Sequence, residues 1–508
     1  MTEWGTHMRD GMSTSAPAPG RGLALACLIL GISMAMLDVT IVNVALPTLE
    51  HSLDVNEATL SWVVSGYSLA GGIILITAGR LGDRIGHKPI FVTGLALFTI
   101  ASAWCGFAAD GTQLVIARVI QGLGFGIFFP AVAAFIQLMY SGRERGRAFA
   151  VMGAVIGLFT AAGPLVGGLL IEAFGELDGW RWIFWVNLPF GALALIGALI
   201  LLPRGRAGER RERLDPVGLI LVTLALVAIL VPLIEGQELG WPWWLWAVMV
   251  AGAAILVAFW FVQVARARQG RAQLVPPRLF SHRAFTTGVI FGFVYFAAFT
   301  SVSFALSIYW QAGLGHTALE TGLMSLPFSF GVIIGASFCN QLAHALGRGV
   351  LAIGTALLSI GFLSLWASIA FVPPAEISWL TLLGPLAVSG LGSGFVTAPN
   401  TTFIVATVDP AEAGAASGVL STIQRVGVAA GIAVVGAVMF GLLGQRLGAE
   451  ATAMREPDQL ADAVSHAFQV GAAGGILVSA LCAVASFALV WTLPRRVEER
   501  GPTAPSAR

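Results

Sequence analysis

Residues 121–136 read QGLGFGIFFPAVAAFI, and residues 389–404 read SGLGSGFVTAPNTTFI. At one ungapped offset of 268, Gly122, Leu123, Gly124, Gly126, Phe135 and Ile136 recur as Gly390, Leu391, Gly392, Gly394, Phe403 and Ile404. The same offset carries Glu144 and Gly146 onto Glu412 and Gly414, and Ala161, Ala162 and Gly163 onto Ala429, Ala430 and Gly431. Chance matching between helices rich in Gly and Ala is the competing explanation. A single register held across two apolar runs and the loop between them outweighs it. The chain therefore reads as two equivalent halves.

Of the 508 residues, 57% are apolar and 11% charged, and the mean hydropathy is +0.84. A soluble domain carries about 25% charged residues, so too few are present here to cover a water-facing surface. The composition excludes a soluble enzyme and implies an integral membrane protein. A bilayer core needs about 20 apolar residues per helix. Fourteen such runs occur, at about 23–46, 60–79, 90–109, 112–138, 148–171, 182–202, 216–235, 242–265, 285–309, 319–341, 349–371, 378–405, 415–441 and 467–492. They are long, rich in Leu, Ala and Gly, and lack period-two alternation, so they predict helices rather than barrel strands. The repeat makes spans 1–6 and 9–14 the two halves, with spans 7 and 8 inserted. The expected organisation is a disordered tail (1–21), a six-helix half (22–203), two inserted helices with their linkers (204–270), a second six-helix half (271–494) and a tail (495–508). Two such halves facing each other can enclose a site near the bilayer midplane.

With residue 1 on the cytoplasmic side, cytoplasmic segments hold 23 of the 28 Lys and Arg. External loops hold Arg181, Arg446 and Arg455, and Arg118 and Arg425 lie within spans. That bias predicts both ends inside, in the cytoplasmic membrane. The scarcity of Lys beside abundant Arg, Ala and Gly fits a GC-rich bacterium. The first apolar run is too long for a signal peptide, contains Asp38 and lacks a clear cleavage site, so it is expected to be retained. Met8 and Met12 are alternative starts. Cys27, Cys105, Cys339 and Cys482 all fall in apolar runs and do not suggest a disulfide framework. Trp241, Trp243, Trp244 and Trp246 crowd the start of span 8 and read as an interfacial anchor.

Between spans 2 and 3 lies Gly79-Arg80-Leu81-Gly82-Asp83-Arg84-Ile85-Gly86-His87-Lys88-Pro89. Its glycines permit a tight turn and close approach, and Asp83 with its basic neighbours can latch two helices. A worn copy, Leu342-Ala343-His344-Ala345-Leu346-Gly347-Arg348, stands in the equivalent place of the second half. The first string resembles the signature loop of the major facilitator superfamily. Span 5 carries Gly153, Gly157, Gly163, Pro164, Gly167 and Gly168, a face of small residues that lets a neighbouring helix pack closely, with a proline that permits a kink. Its Gly-Pro-x-x-Gly-Gly ending resembles the antiporter motif of superfamily exporters. Span 1 ends Leu37-Asp38-Val39-Thr40-Ile41-Val42-Asn43-Val44-Ala45-Leu46-Pro47, and Trp180-Arg181-Trp182-Ile183-Phe184-Trp185-Val186-Asn187-Leu188-Pro189 follows span 5. With fourteen spans, these strings are similar to those of the fourteen-helix drug:H+ antiporters, over roughly residues 22–495. The resemblance implies an all-α major facilitator fold and a proton-coupled exporter of lipophilic drugs or antibiotics. Its expected partners are protons, the substrate and the bilayer, and it is expected to work as a monomer.

An ionisable group inside a bilayer is a functional candidate by default. Asp38 is the one carboxylate read as lying well within a span, in the outer half of helix 1. Loss of water favours a neutral carboxyl and a nearby cation favours a charged one, the adjustable balance a proton carrier needs. A helix-packing role is the alternative. Arg118 resembles the superfamily's buried-arginine motif, which implies a part in proton coupling; a structural ion pair is the plainer reading. Arg425 takes the place of Gly157 at the repeat offset. A buried cation there would disfavour cationic substrates. Several members of the resembled family that expel cations carry additional membrane acids in the second half, and this sequence shows none; that departure speaks against a polycationic substrate and for neutral, anionic or monocationic amphipathic ones. Pocket candidates are Asn43, Trp62, Tyr67, Gln121, Phe125, Tyr309, Gln311 and Asn400, together with Arg425; sparse polar groups in an apolar cavity suit lipophilic ligands.

The single lysine, Lys88, is in no Gly-x-x-x-x-Gly-Lys-Ser/Thr loop, so the chain shows no phosphate cradle for ATP. The seven histidines lie in loops or at span ends and form no metal or nucleophile–base constellation. No cofactor, metal or nucleic acid is expected. Three alternatives stay open: an exporter dedicated to one host metabolite or antibiotic, an importer, and a non-transporting membrane receptor, which the short loops disfavour.

Overall fold

The computed structural model describes residues 20–140, 142–175, 177–203, 215–236, 239–405, 413–451 and 457–493. The expected tails, up to residue 19 and from 495 to 508, and the linker 204–214 lie outside the described residues. The architecture is all-α. The first half holds α1 (Arg21–Leu53), α2 (Glu57–Ile85), α3 (His87–Phe107), α4 (Gly111–Met139), α5 (Gly142–Phe174), α6 (Gly179–Trp185) and α7 (Asn187–Leu201). The insertion is α8 (Pro216–Glu235) and α9 (Trp243–Arg268). The second half holds α10 (Arg283–Ile308), α11 (Ala318–Met324), α12 (Leu326–Leu346), α13 (Gly349–Phe371), α14 (Trp379–Val405), α15 (Ala413–Ala451) and α16 (Pro457–Val490). Among the described residues, thirteen helical stretches are long and apolar enough to cross a bilayer, and the bent α5 makes fourteen when counted as one span.

The repeated glycines set the helix spacing in both halves. A Cβ on Gly122 or Gly126 would strike the Tyr67 or Gly71 carbonyl of α2, and one on Gly390 or Gly394 would strike Phe328 or Val332 of α12. Gly124 packs on α3 at Phe98, and Gly392 on α13 at Leu358. Lipid tails are as apolar as the side chains they face, so such close backbone approach, rather than burial from water, holds membrane helices together. Edge-to-face rings fill the rest of the first half: Phe128 lies 5.8–5.9 Å from Phe91, Phe98 and Phe125.

Two prolines shape the contacts. Each removes one backbone donor and frees the carbonyl four residues earlier, which must find another partner in lipid. Pro164 frees the Thr160 carbonyl, and Thr40 Oγ1 of α1 donates to it at 2.9 Å. α5 bends by 42° at this point. Pro47 frees the Asn43 carbonyl, and Ser307 Oγ of α10 donates to it at 2.5 Å.

Two expectations are corrected. Helix α1 continues past Pro47 to Leu53, because Ser307 satisfies the freed carbonyl, and this places Asp38 at mid-helix rather than in its outer half. The segment 79–89 is not a glycine loop: α2 runs through Gly79 and Gly82 to Ile85, and the chain turns at Gly86 alone, with φ of 100°.

Candidate functional site

At the centre of the first half, Asp38 is wholly buried. Its Oδ2 accepts from Arg118 Nη1 at 2.6 Å, and its Oδ1 accepts from Gln121 Nε2 at 2.8 Å and Asn187 Nδ2 at 2.9 Å. Arg118 and Gln121 stand three residues apart on α4, which puts them on one face. Arg118 also donates through Nε to the Val63 carbonyl at 2.9 Å and through Nη1 to Gln121 Oε1 at 2.7 Å. Asn187, at the start of α7, donates further to Ser102 Oγ at 3.0 Å, and Ser102 donates to the Phe184 carbonyl. The guanidinium lies 4.3 Å above the Tyr67 ring. Six helices thus contribute to the network around one carboxylate with no solvent contact. A buried ion pair is tolerable only when hydrogen bonds satisfy both charges, and this one is so satisfied.

The equivalent helix pairs of the second half are joined by hydroxyls instead. Tyr295 Oη lies 2.9 Å from Ser393 Oγ between α10 and α14, and Ser301 Oγ lies 2.8 Å from Ser479 Oγ between α10 and α16. The ionisable pair is therefore lodged in one half of a repeated fold.

The halves meet along α2–α15, α5–α11 and α1–α10. A Cβ on Gly72 would meet Arg425 Cβ at 2.7 Å; one on Gly168 would meet the Ala318 carbonyl at 2.6 Å. Gln311 Nε2 donates to the Val44 carbonyl at 3.0 Å beside the Ser307–Asn43 bond. Asn43 and Gln311 thus belong to a contact between halves; Tyr309, whose buried hydroxyl has no partner among the described residues, lies with Gln311 in a π-helical turn, Tyr309–Gly313, of the kind often found at functional places. Tyr67, Phe125 and Arg425 form the other group. The Arg425 guanidinium sits 4.5 Å from the Phe125 ring, itself 5.9 Å from Tyr67.

The span-5 glycines divide into two sets. Gly163 faces Thr40 and Ile41, Gly167 faces Ile41, and Gly168 faces Ala318 and Leu319, while Pro164 lies against Gly322. Gly153 and Gly157, on the far side of the bend, face open space. In the 79–89 segment, Leu81 packs on the first-half core, Gly79 touches Pro130, and Arg84 is exposed. Lys88 Nζ donates to the Leu199 and Leu202 carbonyls at 2.7 and 2.8 Å, fastening α3 to the end of α7. In the worn copy, Arg348 Nη1 does the same to the Trp491 and Leu493 carbonyls, again after a glycine of positive φ, Gly347. The side chains of Asp83 and Asn400 lie outside the described residues.

One pocket candidate goes elsewhere. Trp62 Nε1 donates to Glu235 Oε1 at 2.8 Å, so this ring secures the inserted α8 to α2. Helix α8 lays Leu226, Leu230 and Ile234 against α2 and α15, across the seam between the halves. Sequence reasoning missed Asn187, quoted only within a motif, and Ser102. It also missed Asp215, a second buried carboxylate. Asp215 caps α8 at Gly218 N, accepts from Gln263 Nε2 and Leu274 N, and lies 3.3 Å from Arg266 Nη2. It sits beside a charged linker, which hid it from a search for acids inside apolar runs. Among the described residues, no cluster of His, Cys, Asp or Glu suits a metal ion.

The model of the Major Facilitator Superfamily matches residues 28–227 and 209–432. The chain is 36% identical over 439 residues to a protein of Streptomyces coelicolor described as the probable actinorhodin transporter, covering 86% of this chain and 76% of that protein. It is 33% identical over 497 residues to a puromycin resistance protein of Streptomyces alboniger, covering 97% and 96% respectively. Its fold matches the crystal structure of an auto-inhibited POT family peptide transporter with a TM-score of 0.66, at 16% identity, over 94% of this chain and 98% of that one.

Proposed function

The chain belongs to the major facilitator superfamily, as a secondary-active transporter related to antibiotic-resistance exporters, and from that premise we propose that it is a proton-driven exporter of lipophilic small molecules of the fourteen-helix drug:H+ antiporter type. The observation that carries this reading is the Asp38–Arg118 pair, a titratable group held out of water among six helices of one half. A proton arriving at Asp38 competes with Arg118 for the same oxygen. Arg118 keeps its bonds to Val63 and Gln121 when that contact loosens, so it stays in place while the net charge of the cluster changes. A charge change at the fixed centre of one half is a bias on how that half sits against the other. The small-residue contacts of α5 with α11 and of α2 with α15 suit such rocking.

In the proposed cycle the substrate enters from the cytoplasmic side, protonation of Asp38 at the external side accompanies release, and deprotonation toward the cytoplasm resets the pump. Proton entry supplies about 2.3 kcal/mol per charge per 100 mV, plus the pH gradient. Both termini are cytoplasmic in this scheme, and the monomer is the working unit. Export rather than import is supported by the resistance named for the puromycin relative, because a transporter protects a cell only by lowering the internal concentration. A narrower reading, export of one compound, is favoured by the single compound named for each of these two Streptomyces relatives. Purified protein in liposomes with an imposed pH gradient tests the proposal, using a panel of acidic, neutral and cationic aromatic compounds. Accumulation of at least one against its gradient, abolished by a protonophore, is expected. Transport indifferent to the protonophore, or driven in the importing sense, overturns it.

A further inference from the structure

The Asp38–Arg118 pair leaves one membrane-embedded cation unused. Arg425 lies on α15 within the span Gly418–Gly448, partly exposed at the α2–α15 seam. Among the described residues its guanidinium has no carboxylate and no hydrogen-bond acceptor; its one close partner is the face of Phe125, 4.5 Å away. Guanidinium groups carry five donors, and an embedded charge normally pairs with another charge or with carbonyls. Two neighbours share the deficit. Tyr67, 1% exposed and in contact with the same Phe125 ring, has a hydroxyl without a partner. Thr422, one turn before Arg425, has a buried hydroxyl without one. Asp38, the carboxylate of the neighbouring cluster, is already taken up by Arg118, Gln121 and Asn187.

Resting on the proposed exporter function, we infer that Arg425 is the anchor for an anionic group of the substrate, a carboxylate or ionised phenol carried on an aromatic ring. The anion takes the guanidinium, and the ring takes the apolar ground beside Phe125. Tyr67 links the two sites physically. Its ring lies 4.3 Å from the Arg118 guanidinium and 5.9 Å from the Phe125 ring, so it neighbours both the proton-binding cluster and the ring beside Arg425. A cationic substrate meets an uncompensated positive charge at the same place.

Equilibrium binding without any gradient tests this, on full-length protein in nanodiscs. The probes are radiolabelled 2-naphthoate, its methyl ester and 2-naphthylmethylammonium, which share one ring and differ in charge. A charge-assisted bond to a partly buried guanidinium predicts that the acid binds roughly tenfold or more tighter than the ester, and the ammonium weakest. Arg425→Gln is expected to bring acid and ester level, and Arg425→Lys to keep part of the preference. Phe125→Leu is expected to weaken acid and ester together. The wild-type comparison needs no variant to fold. Equal binding of acid and ester, binding of neither, or a preference that survives Arg425→Gln overturns the inference. Gradient-driven export that persists alongside any of these results leaves the pump standing and removes only the anion site. Loss of proton dependence with the acid preference intact does the reverse.

Discussion

Adding one methyl group at Gly163 is predicted to damage the protein far more than adding it at Gly153, ten residues earlier on the same helix. At Gly163 the new Cβ lands on Thr40 Oγ1 and comes within 2.9 Å of Thr40 Cβ and 3.0 Å of Ile41 N. Thr40 must move, and its bond to the Thr160 carbonyl, freed by Pro164, is lost. Overpacking costs about 1–3 kcal/mol, and a buried acceptor left unpaired costs about 1–3 more. Replacing Gly by Ala in a helix returns about 1 kcal/mol, so Gly163→Ala is expected to destabilise by roughly 1–5 kcal/mol. At Gly153 the methyl meets nothing within 4 Å, so Gly153→Ala keeps only the helix gain. Thr40→Val should lose the same bond and Thr40→Ser should keep it. Because Gly163→Ala and Thr40→Val remove one shared bond, the double variant should cost less than their sum by about 1–3 kcal/mol. Thermal unfolding in nanodiscs, beside initial export rates, reads all five variants. Equal damage from Gly153→Ala and Gly163→Ala, or strict additivity of the pair, refutes the reasoning.

Lys88→Met is expected to speed hydrogen exchange in the last turn of α7 and leave the end of α16 unchanged, and Arg348→Met to do the opposite, because each cation holds the final carbonyls of its own half. Exchange measured by mass spectrometry that fails to separate the two ends counts against paired clamps. Trp62→Phe should loosen α8, seen as faster proteolysis near residue 236, with little change in export rate, since the indole's hydrogen bond goes to Glu235. A sharp loss of probe binding in this variant instead returns Trp62 to the pocket. Asp215→Ala strands the donors of Gln263, Leu274 and Gly218 and should cut the yield of folded protein, whereas Asp215→Asn, which keeps an acceptor oxygen, should recover part of it. Equal yields from the two variants contradict the cap.

The repeat glycines were legible because close backbone approach tolerates only the smallest residue, and Gly122, Gly124 and Gly126 do equivalent work to Gly390, Gly392 and Gly394. Asp38 and Arg118 were legible as rare ionisable groups in apolar runs, but not their contact, which joins residues 80 apart through helix packing. Asn187 escaped notice because a lone amide at a span edge looks like ordinary loop polarity; only the convergence of α1, α3 and α7 makes it a partner of Asp38. Helix α1 outran its predicted end since hydropathy stops at Pro47, while the hydroxyl that lets the helix continue comes from Ser307, in the other half. Trp62 reads as a pocket residue in the sequence because an aromatic in a core helix gives no sign of which neighbour it faces; the bond to Glu235 of the inserted α8 is visible only in the fold.

The most direct measurement compares wild-type protein and Asp38→Asn in liposomes carrying an imposed pH gradient, with probe binding in nanodiscs as the check on folding. Asparagine keeps the shape and an acceptor for Arg118 but cannot take up a proton. Retained binding with gradient-driven export abolished is the predicted result; export by the variant at the wild-type rate, still dependent on the gradient, contradicts a proton carried at Asp38.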